Sequence, residues 1–136
     1  MNNSSSRLRM MALASVLLFC AAAQAEVVVV MAPGAGTLTK AQVEAIYLGR
    51  NTDLKPVDLP AGTPARDAFY KKATDRDEAQ VKAVWSRIIF TGKGQPPKEM
   101  ADAAAVKKAV AADPKVVGYI DKAAVDGTVK VVLSLD

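Results

Sequence analysis

The chain has 136 residues, a formal net charge of +4, one cysteine and no histidine. The missing imidazole excludes His-based general bases, Ser-His and Cys-His nucleophile pairs, and the usual zinc and haem ligand sets. With modest charge and only 5% aromatic residues, scattered along the sequence, the chain has none of the marks of a nucleic-acid binder.

Residues 1–25 read as an export leader. Arg7 and Arg9 give a basic start, Met10 to Ala23 an apolar run, and Ala23-Gln24-Ala25 a small-residue cleavage signal. The apolar run is shorter than the roughly 20 residues of a membrane-spanning helix. Cys20 leaves with the leader, and Phe19 stands before it where a lipoprotein signal has a small residue. The expectation is cleavage after Ala25, a periplasmic location, and one cysteine-free domain over residues 26–136 that does not insert in the membrane. Arg7 and Arg9 leave too, so much of the positive charge belongs to the leader.

Val27 to Met31 is a β-branched run that predicts a strand buried on both faces. Gly34 and Gly36 break it, in a loop that departs from the dinucleotide pattern G-x-G-x-x-G because Thr39 stands at the third glycine. A helix follows. Thr39 is its cap, Gln42 completes a capping box, Leu38 and Val43 form a hydrophobic staple, and Gly49 is the left-handed stop. Val43, Ile46 and Tyr47 share its inward face.

Lys55 to Leu59 predicts a short strand. The turn Pro60-Ala61-Gly62-Thr63 leads into a helix from Pro64 to about Ala73, with Thr63 as N-cap and Pro64 at the first helical position. Such a turn can hold an anion, because N–H groups of a first helical turn point outward and carry partial positive charge. Asp75 and Glu78 open a third helix, on which Val81, Val84, Trp85, Ile88 and Ile89 recur at helical spacing. Trp85 is expected in the core with Ile88 and Ile89. Thr91 to Lys98 reads as a Gly/Pro loop without regular structure. Asp102 caps an alanine-rich fourth helix that ends before Asp113-Pro114. Val116 to Ile120 and Val129 to Leu133 predict the last strands.

The order β-α-β-α-α-α-β-β predicts an α/β fold with a mixed sheet and helices on both faces. Asp58, Asp67, Asp121 and Asp126 fall in turns and strand ends with no spacing that forces an acid–base pair. No enzymatic constellation, cofactor motif or metal-ligand spacing stands out.

Two stretches carry a family resemblance: Leu38-Thr39-Lys40-Ala41-Gln42-Val43-Glu44-Ala45-Ile46-Tyr47-Leu48-Gly49, and Pro56-Val57-Asp58-Leu59-Pro60 continuing through Gly62-Thr63-Pro64-Ala65-Arg66-Asp67-Ala68-Phe69-Tyr70. Trp85-Ser86-Arg87, the Phe90 to Pro97 segment and Val117-Gly118-Tyr119-Ile120 extend it over nearly all of residues 26–136. The sequence resembles the periplasmic phosphate-binding proteins of ABC transporters, in a short, one-lobe branch. The resemblance implies a three-layer α/β/α lobe of the type 2 periplasmic-binding-protein fold. It implies a non-enzymatic protein that recognises phosphate or another oxyanion and is linked to ABC uptake. The implied ligand residues are Gly62, Thr63, Ala65 and Arg66, with Gly34, Gly36 and Lys93 as secondary candidates. The alternative is a periplasmic interaction or sensory module that keeps the lobe without its solute and pairs with itself, a transporter or an envelope receptor.

Overall fold

The computed structural model describes residues 26–135; the expected leader with Cys20, and Asp136, lie outside the described residues. The chain forms β1 (Val27–Met31), α1 (Lys40–Tyr47), β2 (Lys55–Asp58), α2 (Pro64–Thr74), α3 (Glu78–Phe90), β3 (Lys98–Glu99), α4 (Ala103–Ala112), β4 (Val116–Asp121), a 3-10 turn (Lys122–Ala124) and β5 (Lys130–Leu135). Five strands make one mixed sheet in the order β3-β2-β4-β1-β5. β1 runs antiparallel to β4 and β5, whereas β2 is parallel to β3 and β4.

The valine run of β1 is central and buried along its whole length, as a strand covered on both faces must be. The covering helices follow from the alternation of β4. Gly118 faces α4: a Cβ there would come within 2.6 Å of Val106 Cγ1, 3.0 Å of Val57 Cγ2 and 3.3 Å of Val110 Cγ2. Tyr119, on the opposite face, stacks on Phe69 of α2 with centroids 3.9 Å apart and meets Tyr47 of α1 edge-on. Helices therefore cover both faces. Gly118→Ala is expected to cost about 1–3 kcal/mol by overpacking against three short branched side chains. Thermal unfolding of the variant measures it, and an unchanged melting point would mean that α4 backs away without loss.

Local signals predicted α1 well. Thr39 and Gln42 form the reciprocal capping box, and Gly49 follows with φ +75°. Three expectations are corrected. The N-cap of α3 is Asp77, boxed with Gln80, while Asp75 takes a left-handed conformation that ends α2. Lys98, expected at the end of a structureless loop, pairs with Val57, and with Glu99 opposite Asp58 it makes a two-residue parallel strand. Ile89, expected in the core, is 51% exposed, and Phe90 beside it is 92% exposed. α3 is covered along a narrow stripe, Val81 and Trp85 with part of Ile88, so the residues next round the helix stay outside.

Candidate functional site

β2 delivers its last residue, Asp58, into the interior. Lys55 faces Val116 and Pro56 faces Val117, so Asp58 and the turn after it lie at the C-terminal end of β4. The side chain is 3% exposed and fully engaged. One carboxylate oxygen accepts from the Leu59 N–H at 2.9 Å and from the Tyr119 hydroxyl in a very short hydrogen bond. The other accepts from the Tyr70 hydroxyl at 2.5 Å, and Arg66 Nη1 stands 3.7 Å away. Burial raises the Asp58 carboxyl above its ordinary range, while both tyrosine hydroxyls, the Arg66 charge and the Leu59 N–H pull the other way. The same burial, with the Asp58 charge, pushes the phenols of Tyr70 and Tyr119 far above their usual range. Both stay protonated donors.

Arg66 is the second layer. Its Nε and Nη2 donate to the two oxygens of Glu78 at 3.1 and 2.8 Å, a bidentate fork that ties α2 to the start of α3. Its Nη1 donates to the Leu59 carbonyl at 2.9 Å and lies 3.8 Å from Glu99. The guanidinium, 5.6 Å above the Tyr70 ring, is therefore enclosed by three carboxylates. Beside this network opens a groove of about 580 Å³, floored in part by Val81 and Trp85.

The turn before α2 has the shape that its sequence predicts. Gly62 sits at φ +84°, where a side chain would be strained. The Thr63 hydroxyl behaves differently from a cap. It donates back to the Pro60 carbonyl at 2.8 Å, and the helix has no side-chain cap. Thr63 has the extended backbone of an N-cap all the same, and Pro64 occupies the first helical position. Ala65 turns its methyl into the core, and Asp67 is exposed.

The structure groups Gly62, Thr63, Ala65 and Arg66 at one turn and separates them from the secondary candidates. β1 is antiparallel to β4, with Val27 opposite Asp121, so Met31 and the loop of Gly34 and Gly36 emerge at the other end of the sheet. The Lys130 ammonium donates there to the Ala35 carbonyl. Lys93 lines a separate, smaller groove beyond Trp85. Asp58, Tyr70, Tyr119 and Glu78 were not foreseen as one cluster. The available signal was a carboxylate at the end of an otherwise apolar strand, which needs buried donors.

Two solved transport receptors share this α/β fold with its five-stranded mixed sheet. One is an ABC-type phosphate transport receptor from Vibrio cholerae, at 20% identity and a TM-score of 0.62 over 79% of this chain. The other is a candidate phosphate ABC transporter substrate-binding protein from Clostridium perfringens with bound phosphate, at 19% identity and a TM-score of 0.63 over 79% of this chain. This chain spans 45% and 44% of their respective lengths. No protein-family model matches the sequence. No curated protein matches it either. No helix among the described residues is long and apolar enough to cross a membrane.

Proposed function

We propose that the protein is an exported, non-enzymatic solute-binding protein that recognises phosphate or a related oxyanion in connection with ABC uptake. The observation that carries this reading is the shared fold over 79% of the chain with two phosphate-transport proteins, one of them holding phosphate. The α2 turn supplies the chemistry. Gly62 allows the backbone to turn tightly, and the Thr63 hydroxyl is spent on Pro60. The first-turn N–H groups at Ala65 and Arg66 thus remain for an anion. The Arg66 side chain holds the turn to α3 through Glu78 and leaves anion contact to the backbone.

Such a site, open to water, is modest in strength. With a dissociation constant of about 1 mM, 10 mM phosphate stabilises the fold by about 1.4 kcal/mol. That raises the melting temperature by about 6–10 °C. The check is a thermal melt in phosphate against chloride at matched ionic strength. Equal melting points in the two salts would remove the oxyanion reading.

A second reading draws on a different observation. Ile89 and Phe90 are exposed on α3, and the one arginine at the turn is committed to carboxylates. These features suit a module that uses the lobe to meet a transporter, an envelope receptor or a second copy of itself. Sedimentation with and without phosphate separates the two. A phosphate-indifferent self-associating species favours the module.

A further inference from the structure

Two grooves adjoin along Trp85, Pro96 and Pro97, and their charges are opposite. The larger carries Asp58, Glu78 and Glu99 against Arg66 and Lys82. The smaller, about 330 Å³, carries Lys55, Lys93 and Lys98, and no acidic side chain lines it. Its volume lies within the range of small-molecule sites.

Lys55 is held by Asp113 at 3.2 Å, whereas Lys93 and Lys98 have no ion-pair partner among the described residues. Asn51 on the rim spends its carbonyl oxygen on the Asp53 N–H, so its NH2 end is the unspent one. The floor is apolar, with Trp85 and Ile88 at its centre. The Trp85 indole N–H is turned away to the Tyr47 carbonyl at 3.0 Å, which leaves the benzo edge of the ring toward the groove. Gly49 and Gly94 border that floor. A Cβ at Gly49 would come within 2.9 Å of Ile88 Cδ1 and 3.0 Å of Trp85 Cη2, and one at Gly94 within 3.4 Å of Ile88 Cγ2. Glycine at both places lets the chain pass close to the indole edge and Ile88 without adding a side chain to the groove.

We propose that this groove binds an amphiphilic organic anion, with an aryl or branched alkyl body on Trp85 and Ile88 and an acidic head group within reach of Lys93 and Lys98. Charge selects the head and apolar burial holds the body. Neither suffices alone, because exposed ion pairs are weak in water and a small apolar contact is unselective. The site is separate from the α2 turn and does not rest on the phosphate reading, since inorganic phosphate has no apolar part.

Trp85 is the only tryptophan in the sequence and borders both grooves, so its emission reports binding at either, and the Lys93 and Lys98 variants assign the response to the smaller one. The test titrates the protein with 4-phenylbutyrate, with 4-phenylbutylamine, which has the same body and the opposite head, and with inorganic phosphate, all at matched ionic strength. A saturable change in emission with phenylbutyrate, and none with the amine or with phosphate, is the expected result. Replacing both Lys93→Glu and Lys98→Glu, at exposed positions, weakens phenylbutyrate binding by about tenfold or more. The paired Lys93→Arg and Lys98→Arg replacement keeps it. An absent or non-saturating response, an equal response to the amine, or unchanged binding by the charge-reversed variant overturns the proposal. A melting shift in phosphate without an emission change supports the separation of this site from the α2 turn.

Discussion

Asp58→Ala is expected to lower the stability of the fold by about 3–5 kcal/mol, the range seen when one partner is removed from a buried charged network. Two buried donors, the Tyr70 and Tyr119 hydroxyls, lose their acceptor at once, and the Leu59 N–H is left with the Tyr119 oxygen alone. Each buried donor left unsatisfied costs about 1–3 kcal/mol, and partial relaxation keeps the total below the sum. Arg66 loses one of its three carboxylates as well but keeps the Glu78 fork. Urea unfolding at neutral pH measures the loss. A difference under about 1 kcal/mol would mean that water reaches the tyrosine hydroxyls, and that the interior end of the groove is wet.

Trp85→Ala is the other large effect, also about 3–5 kcal/mol. Trp85 is 8% exposed, its N–H donates to the Tyr47 carbonyl, and with Val81 it forms the buried side of α3. Removing it merges the two grooves into one cavity and strands the Tyr47 carbonyl. Denaturant unfolding checks the magnitude. A loss below about 0.5 kcal/mol would place α3 as an independently mobile element. Trp85→Phe is expected to recover most of the packing without the hydrogen bond, which separates the two contributions.

The sequence disclosed what is governed locally. The capping box at Thr39 and Gln42, the glycine stop at residue 49 and the Asp102 cap each depend on residues within one or two turns, and each forms. The misread cap shows where local reading ends. In Asp75-Arg76-Asp77 both acids precede a partner three residues on, Glu78 or Gln80. The choice falls to Asp77 because Asp75 is used in closing α2. The β3 pairing is invisible locally, since two residues join a sheet only when β2 is already beside them. The Asp58 cluster is hidden for the same reason, with tyrosine partners 12 and 61 residues away. The Gly62 turn was legible in shape. The Thr63 hydroxyl turned to Pro60, a local alternative three residues back that competes with capping, whereas the Arg66 fork depended on Glu78, twelve residues on and brought into reach by folding.

The placement of β1 governs how the protein comes to fold. The first strand of the described chain has its two neighbours in β4 and β5, the last strands to be made. Its valines gain no sheet partner until the C-terminal segment arrives, so the central pairing closes the longest loops in the molecule and sets a slow, cooperative rate. Until then a run of four valines stands unpaired, the kind of segment through which partly folded chains aggregate. In a chain built this way the sheet cannot close around its central strand until the last two strands have been made.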